Sequence, residues 1–103
     1  MMENVNHPSH YNQNGRGECI DEMVDLIGIK GTCFFCLGNA YKYMYRAGTK
    51  EGNSFEQDMQ KAKWYIQWAS KHASYIGQND HFFWTSLDSL EYMYERKMKH
   101  DSK

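Results

Sequence analysis

The stretch SFEQDMQKAKWYIQWAS, residues 54–70, predicts a long amphipathic helix. Its start fits a capping box, in which Ser54 accepts a hydrogen bond from the backbone of Gln57 and the Gln57 side chain bonds back. Apolar side chains then recur every three or four residues, which is the spacing of one buried helix face. We expect this helix to extend to Ile76 and its apolar face to form the core. That face consists of Phe55, Met59, Ala62, Ile66, Ala69 and Ala73.

Two shorter helices are predicted before this one. The first covers residues 18–27 and ends at Gly28, because glycine is the usual residue just after a helix. The second covers residues 33–47, with Thr32 as its N-cap and Gly48 after its end. The residues between them, GIKGT, are expected to form a turn.

A fourth helix is predicted to begin near Thr85, after an aromatic linker over residues 78–84. No segment alternates apolar and polar residues in the manner of a strand. The sequence therefore predicts an all-α fold, a small bundle of three to four helices. Residues 1–17 form an extended N-terminal arm and residues 18–103 a single helical domain.

The overall composition limits the function classes. The chain has 103 residues with 12 basic and 13 acidic side chains, so it lacks the basic excess of a nucleic-acid or membrane-surface binder. No apolar run approaches the roughly 20 residues that span a bilayer. Three cysteines and no leader segment favour reduced thiols and a cytoplasmic location. Aromatic residues make up 16% of the chain, which favours a homo-oligomer.

A basic row is predicted on the second helix. Asn39, Lys42, Tyr43 and Arg46 recur every three to four residues and share one face. A solvated basic face is one interpretation. The other is an anion site, since two cations one turn apart beside an amide can bind a phosphate. Gly38, in mid-helix, indicates that another group approaches closely.

A second polar row is predicted on the long helix. Asp58, Lys61 and Tyr65 share one of its faces. Trp64 and Trp68 lie one turn apart on another face. Core or interface packing is the more common use of such a pair, and a stacking platform for a base is the alternative.

These residues occur in four segments whose order resembles a phage protein family. The segments are VNHPSHYN (5–12), ECID (18–21), FCLGNAYKYMYRAGTK (35–50) and DMQKAKWYIQ (58–67). The chain resembles a small family of formerly unknown function, which is similar in this region to T7-type phage nucleotide kinases. The resemblance covers residues 5–68, and residues from 72 onward have no counterpart in it. It implies a nucleotide-linked role in the infected host cell.

The resemblance also implies which positions matter. His7, His10 and Tyr11 match the family's N-terminal signature. The candidate site residues from Glu18 onward match its three helix motifs. A kinase that transfers a phosphoryl group from ATP to a nucleoside monophosphate needs phosphate-binding groups and usually Mg²⁺. The expected catalytic residues are His7, His10 and Asp58. The expected phosphate- or substrate-binding residues are Tyr11, Asn39, Lys42, Tyr43, Arg46, Lys61 and Tyr65. The expected metal ligands are Glu18 and Asp21.

The usual phosphate-binding loop of kinases, G-x-x-x-x-G-K-[ST], is absent from the sequence. Acidic residues in the first helix also suggest a metal-dependent nucleotide pyrophosphohydrolase, but the second acidic helix motif of that class is missing. A third possibility needs no chemistry. A nucleotide-binding sponge or interaction protein that counteracts a host nucleotide signal requires only cations for phosphates and rings for bases.

A zinc site is a further alternative. His7, His10, Cys33 and Cys36 supply four ligands at short spacings. However, the two cysteines lie within a predicted helix rather than a knuckle turn. Buried structural thiols are therefore the favoured interpretation.

Overall fold

A computed structural model describes residues 16–49 and 54–101 of the chain. Within these residues there are three α-helices, one short 3₁₀ turn and no strand. The helices are α1 (Arg16–Arg46), α2 (Phe55–Lys71) and α3 (His81–Asp101), and the 3₁₀ turn (Ala73–Tyr75) follows α2. The all-α prediction is confirmed. Most of the predicted N-terminal arm lies outside the described residues.

The first two predicted helices form one kinked element, α1. Gly28 has φ 83° and ψ 168°, so the backbone bends there, but the helix resumes at the next residue. The prediction of a turn over residues 28–32 was therefore wrong beyond Gly28. Thr32 is not an N-cap: it is fully buried, and its hydroxyl donates a hydrogen bond of 2.8 Å to the Gly28 carbonyl. The predicted end of this helix before Gly48 is confirmed.

The capping box of α2 is present as predicted. The Gln57 amide donates to Ser54 Oγ at 3.0 Å, and the Ser54 amide donates to Gln57 Oε1 at 3.1 Å. The helix ends at Lys71, five residues before the predicted end at Ile76. The ring of His72 stacks on Trp68 at 3.8 Å, and its Nδ1 lies 2.9 Å from the Trp68 carbonyl. The His72 side chain thus forms a hydrogen bond with a carbonyl group at the C-terminus of α2.

The start of α3 differs from the prediction. The helix begins at His81, so part of the predicted aromatic linker is helical, and Thr85 lies inside the helix. Asp80 is the residue that caps it, because Asp80 Oδ1 accepts a hydrogen bond of 3.2 Å from the Phe83 amide. Asp80 also forms an ion pair of 3.0 Å with Lys30 of α1. The start of α3 is therefore held against α1.

The core lies where α1, α2 and α3 meet, and α1 packs most extensively against α2. The predicted apolar face of α2 is buried, apart from the half-buried Phe55. On α3, Phe83 is completely buried and T-shaped to Phe34 of α1 at 5.4 Å. The largest fully buried side chains are Phe83, Ile20, Met59, Thr32, Asp58, Cys33 and Cys36.

Several large apolar side chains remain exposed on α1. Leu37 and Met44 are buried, whereas Tyr41 is 50% exposed. In the first half of the helix Leu26 is 82% exposed and Ile27 54%. By length and composition alone, residues 18–46 also qualify as a membrane span, which is weak evidence because core helices of globular domains pass the same test.

Candidate functional site

The two polar rows predicted on separate helices face each other across the contact between α1 and α2. At their centre, the rings of Tyr43 on α1 and Tyr65 on α2 stack nearly parallel, with centroids 6.0 Å apart and an interplanar angle of 8°. Tyr65 is buried and Tyr43 is half-buried. We call this group the Tyr43 cluster. It comprises Lys42, Tyr43, Arg46, Asp58, Lys61 and Tyr65.

Three cations surround the ring of Tyr43. Lys42 Nζ lies 5.1 Å from its centroid, Arg46 Cζ 5.2 Å and Lys61 Nζ 5.4 Å. Each distance is within the roughly 6 Å over which a ring face attracts a cation. The negative faces of the ring allow these positive side chains to lie close together despite their mutual repulsion. The result is a concentration of positive charge at one point of the helix pair.

A buried carboxylate lies at the base of the cluster. Asp58 is fully buried in the first turn of α2, and its Oδ1 lies 3.9 Å from Arg46 Nε. Neither carboxylate oxygen accepts a hydrogen bond from the described residues. A buried carboxylate is costly to desolvate, and the guanidinium of Arg46 and the N-terminus of α2 offset part of that cost. Asp58 thereby holds Arg46 against the helix pair.

Aromatic side chains form a wall beside the cluster. Phe35 and Trp64 both contact the ring of Tyr65 edge-on, with centroid distances of 6.1 and 5.1 Å. Phe35 is missing from the predicted site, although it lies one turn before Asn39 on the same row. Trp64 is half-buried and Trp68 buried, which confirms packing for Trp68. A cavity of about 160 Å³ on α2 is lined by Trp64, Gln67, Trp68 and Lys71.

The remaining predicted site residues lie apart from the cluster or outside the described residues. Asn39 is half-buried on the same helix as Tyr43, one turn earlier. Glu18 is exposed and Asp21 half-buried near the start of α1. No group of three metal-ligating side chains occurs within residues 16–49 and 54–101, so the metal role of Glu18 and Asp21 stays a prediction. The three remaining residues, His7, His10 and Tyr11, are outside the described ranges.

The two cysteines of the zinc alternative are buried in the core. Burial raises the pKa of the Cys33 thiol to about 11. For Cys36, burial and then the neighbouring Cys33 raise the pKa to about 12. Both thiols are therefore neutral at pH 7 in the metal-free chain, and zinc would have to displace their protons to bind. Their geometry is that of core side chains.

The chain is similar to known phage proteins. A family model described as a protein of unknown function (DUF3310) matches residues 5–67. The Gene 1.7 protein of Enterobacteria phage T3 is 34% identical over 73 residues, which are 70% of this chain and 45% of that protein. The nucleotide kinase gp1.7 of Escherichia phage T7 is 33% identical over 72 residues, which are 69% of this chain and 37% of that protein.

The chain thus spans less than half the length of either curated relative. No solved structure matches it significantly. The matched region, residues 5–67, includes both helix segments that form the Tyr43 cluster. The cluster therefore belongs to the part of the chain that the family model matches.

Proposed function

Since this chain belongs to the family described as a protein of unknown function (DUF3310), we propose that it binds nucleotides through their phosphate groups at the Tyr43 cluster. We further propose that it transfers a phosphoryl group from ATP to a nucleoside monophosphate in the cytoplasm of the infected cell. The name of the phage T7 relative, a nucleotide kinase, supports the second step.

The observation that carries this proposal is the set of three cations around one ring. Lys42 and Arg46 come from α1 and Lys61 from α2, so all three aim at a common region from two helices. Phosphate is a strong acceptor that several charged donors bind at once. In this proposal the exposed Lys42 and half-buried Lys61 contact the phosphate oxygens directly. Arg46 adds its guanidinium from a position fixed by Asp58.

The chemistry proposed for the cluster is charge stabilisation. An oxygen of the monophosphate forms a bond to the γ-phosphorus of ATP while the bond from that phosphorus to the bridging oxygen breaks, leaving ADP. Negative charge spreads over the transferred oxygens, and neighbouring cations stabilise it. His7 and His10 are proposed to donate hydrogen bonds to phosphate, since imidazoles titrate near neutrality. Asp58 is proposed to act through Arg46.

Magnesium is proposed to arrive as part of the ATP complex rather than as a resident ion. The described residues provide one buried carboxylate at the cluster, and three cations lie beside it. That donor set does not fit a dedicated site for a divalent cation. Mg²⁺ in kinases is commonly held by one or two carboxylates together with substrate phosphates.

Product analysis tests the proposal. The full chain is incubated with ATP, Mg²⁺ and each deoxynucleoside monophosphate in turn, and the products are separated by ion-exchange chromatography. Kinase activity gives ADP and a nucleoside diphosphate in equal amounts. This yield should fall in Lys42→Gln and Lys61→Gln and persist in Lys63→Gln, which alters an exposed lysine of α2. Absence of turnover with every monophosphate would contradict the kinase step.

A binding protein without chemistry is the second candidate. It is favoured by the fact that the cluster consists of cations and stacked rings, the groups that bind phosphates and bases without reaction. In this case the protein sequesters a nucleotide signal of the host. Calorimetric binding with full recovery of the unchanged nucleotide would support this function. If no nucleotide binds and Lys42→Gln changes nothing, both candidates are wrong.

A further inference from the structure

An aromatic groove lies between α1 and α3, formed by residues that the proposed site does not use. It encloses about 520 Å³ and is lined mainly by Tyr41, Met44 and Tyr45 of α1 and by Tyr92, Met93 and Arg96 of α3. Tyr45 is 72% exposed and Tyr92 60% exposed. Large exposed rings clustered around a cavity are unusual for a free surface and typical of an interface.

The groove continues along α1 as a stripe that a second helix fits. Gly31, Gly38, Tyr41 and Tyr45 follow one another at intervals of seven, three and four residues, the spacing of a heptad seam. Gly38 is exposed, and no described atom lies within 4 Å of the position that a Cβ would take. A glycine in mid-helix costs about 0.5–1 kcal/mol relative to alanine. With no neighbour among the described residues, Gly38 leaves room for close approach by another helix.

The charges along α1 determine how that helix would run. The first half of α1 carries Glu18, Asp21, Glu22 and Asp25 together with Arg16 and Lys30, so it is net acidic, and the second half carries Lys42 and Arg46. Parallel pairing of two α1 helices would place like charges together. Antiparallel pairing places the acidic half of one copy beside the basic half of the other, where Arg96 and Lys97 of α3 also lie. Charge complementarity therefore selects a second copy in antiparallel orientation.

The same arrangement covers the apolar side chains left exposed at the other end of α1. Leu26 and Ile27 are 82% and 54% exposed, and they lie between the acidic Asp25 and the bend at Gly28. A segment that carries both exposed apolar side chains and negative charge complements an aromatic groove bordered by Arg96 and Lys97.

We propose that the groove between α1 and α3 is the interface of a two-fold symmetric dimer, filled by the Glu22–Ile27 segment of a second copy. Such an interface is self-complementary and closed, because each copy supplies both the groove and the segment. The Cα atoms extend 46 × 35 × 17 Å, so the shortest dimension is less than two helix diameters. Among the described residues, the rings of Tyr45 and Tyr92 at the groove stay exposed to a partner.

Light scattering coupled to gel filtration tests the dimer. The full chain should elute with twice its 12.2 kDa mass. In Gly38→Gln the side chain blocks close approach of the helices, and the dimer dissociation constant should rise at least tenfold. Gly77→Gln is the matched control, because Gly77 also has no described atom within 4 Å of a Cβ position and lies away from the groove. Circular dichroism verifies that both variants remain helical.

Charge reversal tests the pairing itself. Arg96→Glu and Asp25→Arg should each weaken the dimer, and the double variant should recover part of the loss. A chain that stays at 12.2 kDa up to millimolar concentration would overturn the proposal, as would an assembly that Gly38→Gln and Tyr45→Glu leave unchanged. A monomer that instead floats with vesicles of phosphatidylcholine and phosphatidylglycerol would identify lipid as the occupant and also overturn it.

Discussion

Arg46 and Asp58 form an ion pair that joins α1 to α2, with the guanidinium Nε 3.9 Å from the carboxylate Oδ1. The two members differ in exposure, since the Arg46 side chain is 26% exposed and that of Asp58 is fully buried. A buried carboxylate beside a partly exposed guanidinium fixes the end of the arginine while leaving one side of it open to solvent. The pair therefore connects the stability of the fold to the position of a proposed phosphate-binding group.

Arg46→Ala should destabilise the protein more than Asp58→Asn. Removing the cation leaves the buried carboxylate without its ion-pair partner, and breaking such a pair costs about 3–5 kcal/mol. Removing the charge of Asp58 leaves a guanidinium that is only partly buried, so water solvates its exposed part. Urea unfolding of the two single variants and of the double variant measures both losses. If Arg46→Ala lowers the free energy of unfolding by no more in the original chain than in the Asp58→Asn background, the pair does not stabilise the fold.

Lys42→Gln should weaken nucleotide binding without affecting folding. The ammonium of Lys42 is exposed, and a hydrogen bond to a charged group contributes about 1.5 kcal/mol or more, which is roughly a tenfold change in Kd. Added salt should weaken binding to the unmodified chain, because screening acts on exposed charges. Titration calorimetry at low and high salt measures both effects, with Lys63→Gln as the control. Equal affinities for both variants would exclude Lys42 from the site.

Gly28→Ala should destabilise the protein by about 1–3 kcal/mol, the range for a residue held in a glycine-only backbone region. Gly28 has φ 83° and ψ 168°, and no described atom lies within 4 Å of a Cβ there, so the loss comes from backbone strain alone. The control is Gly77→Ala, because Gly77 is equally open but lacks a positive φ. Thermal unfolding should separate the two variants, and equal melting temperatures would contradict the role of the kink.

Asp80 should contribute to stability at neutral pH but not in strong acid. The hydrogen bond from Lys30 and then the Phe83 amide lower the pKa of Asp80. Because folding favours its charged form, this contribution is complete above the unfolded pKa of about 3.9 and disappears as the pH falls toward the lower folded value. Asp80→Asn keeps a good N-cap but removes the charge. Its stability deficit at pH 7 should shrink as the pH falls below about 3.9, and a deficit that is independent of pH would contradict this.

One cysteine of three should react rapidly with a thiol reagent. Cys19 is exposed, whereas Cys33 and Cys36 are buried and their pKa values are about 11 and 12. At pH 8 we expect one fast equivalent of released thionitrobenzoate from the folded chain and three in denaturant. Rapid reaction of a second thiol would show that the core positions of Cys33 and Cys36 are wrong.

Local patterns were sufficient to predict the capped start of α2 and the two polar rows, but not that the first two predicted helices form one kinked element. The capping box at Ser54 and the apolar periodicity of α2 depend on neighbours within four residues, so they are readable from the chain. The same holds for the row of Lys42, Tyr43 and Arg46. The end of α2 and the start of α3 were misplaced because His72 and Asp80, rather than Ile76 and Thr85, satisfy the terminal backbone groups.

By itself the sequence determined an all-α fold, the members of both polar rows and the apolar face of α2, because helical periodicity assigns residues to faces. Only the tertiary structure decided which faces meet. Packing of α1 on α2 stacks Tyr43 on Tyr65 and buries Asp58 beside Arg46, whereas the contact with α3 leaves Tyr41 and Tyr45 in an open groove. The physical reason is that burial and ion pairing between helices depend on contacts between residues far apart in the chain, which no local spacing encodes.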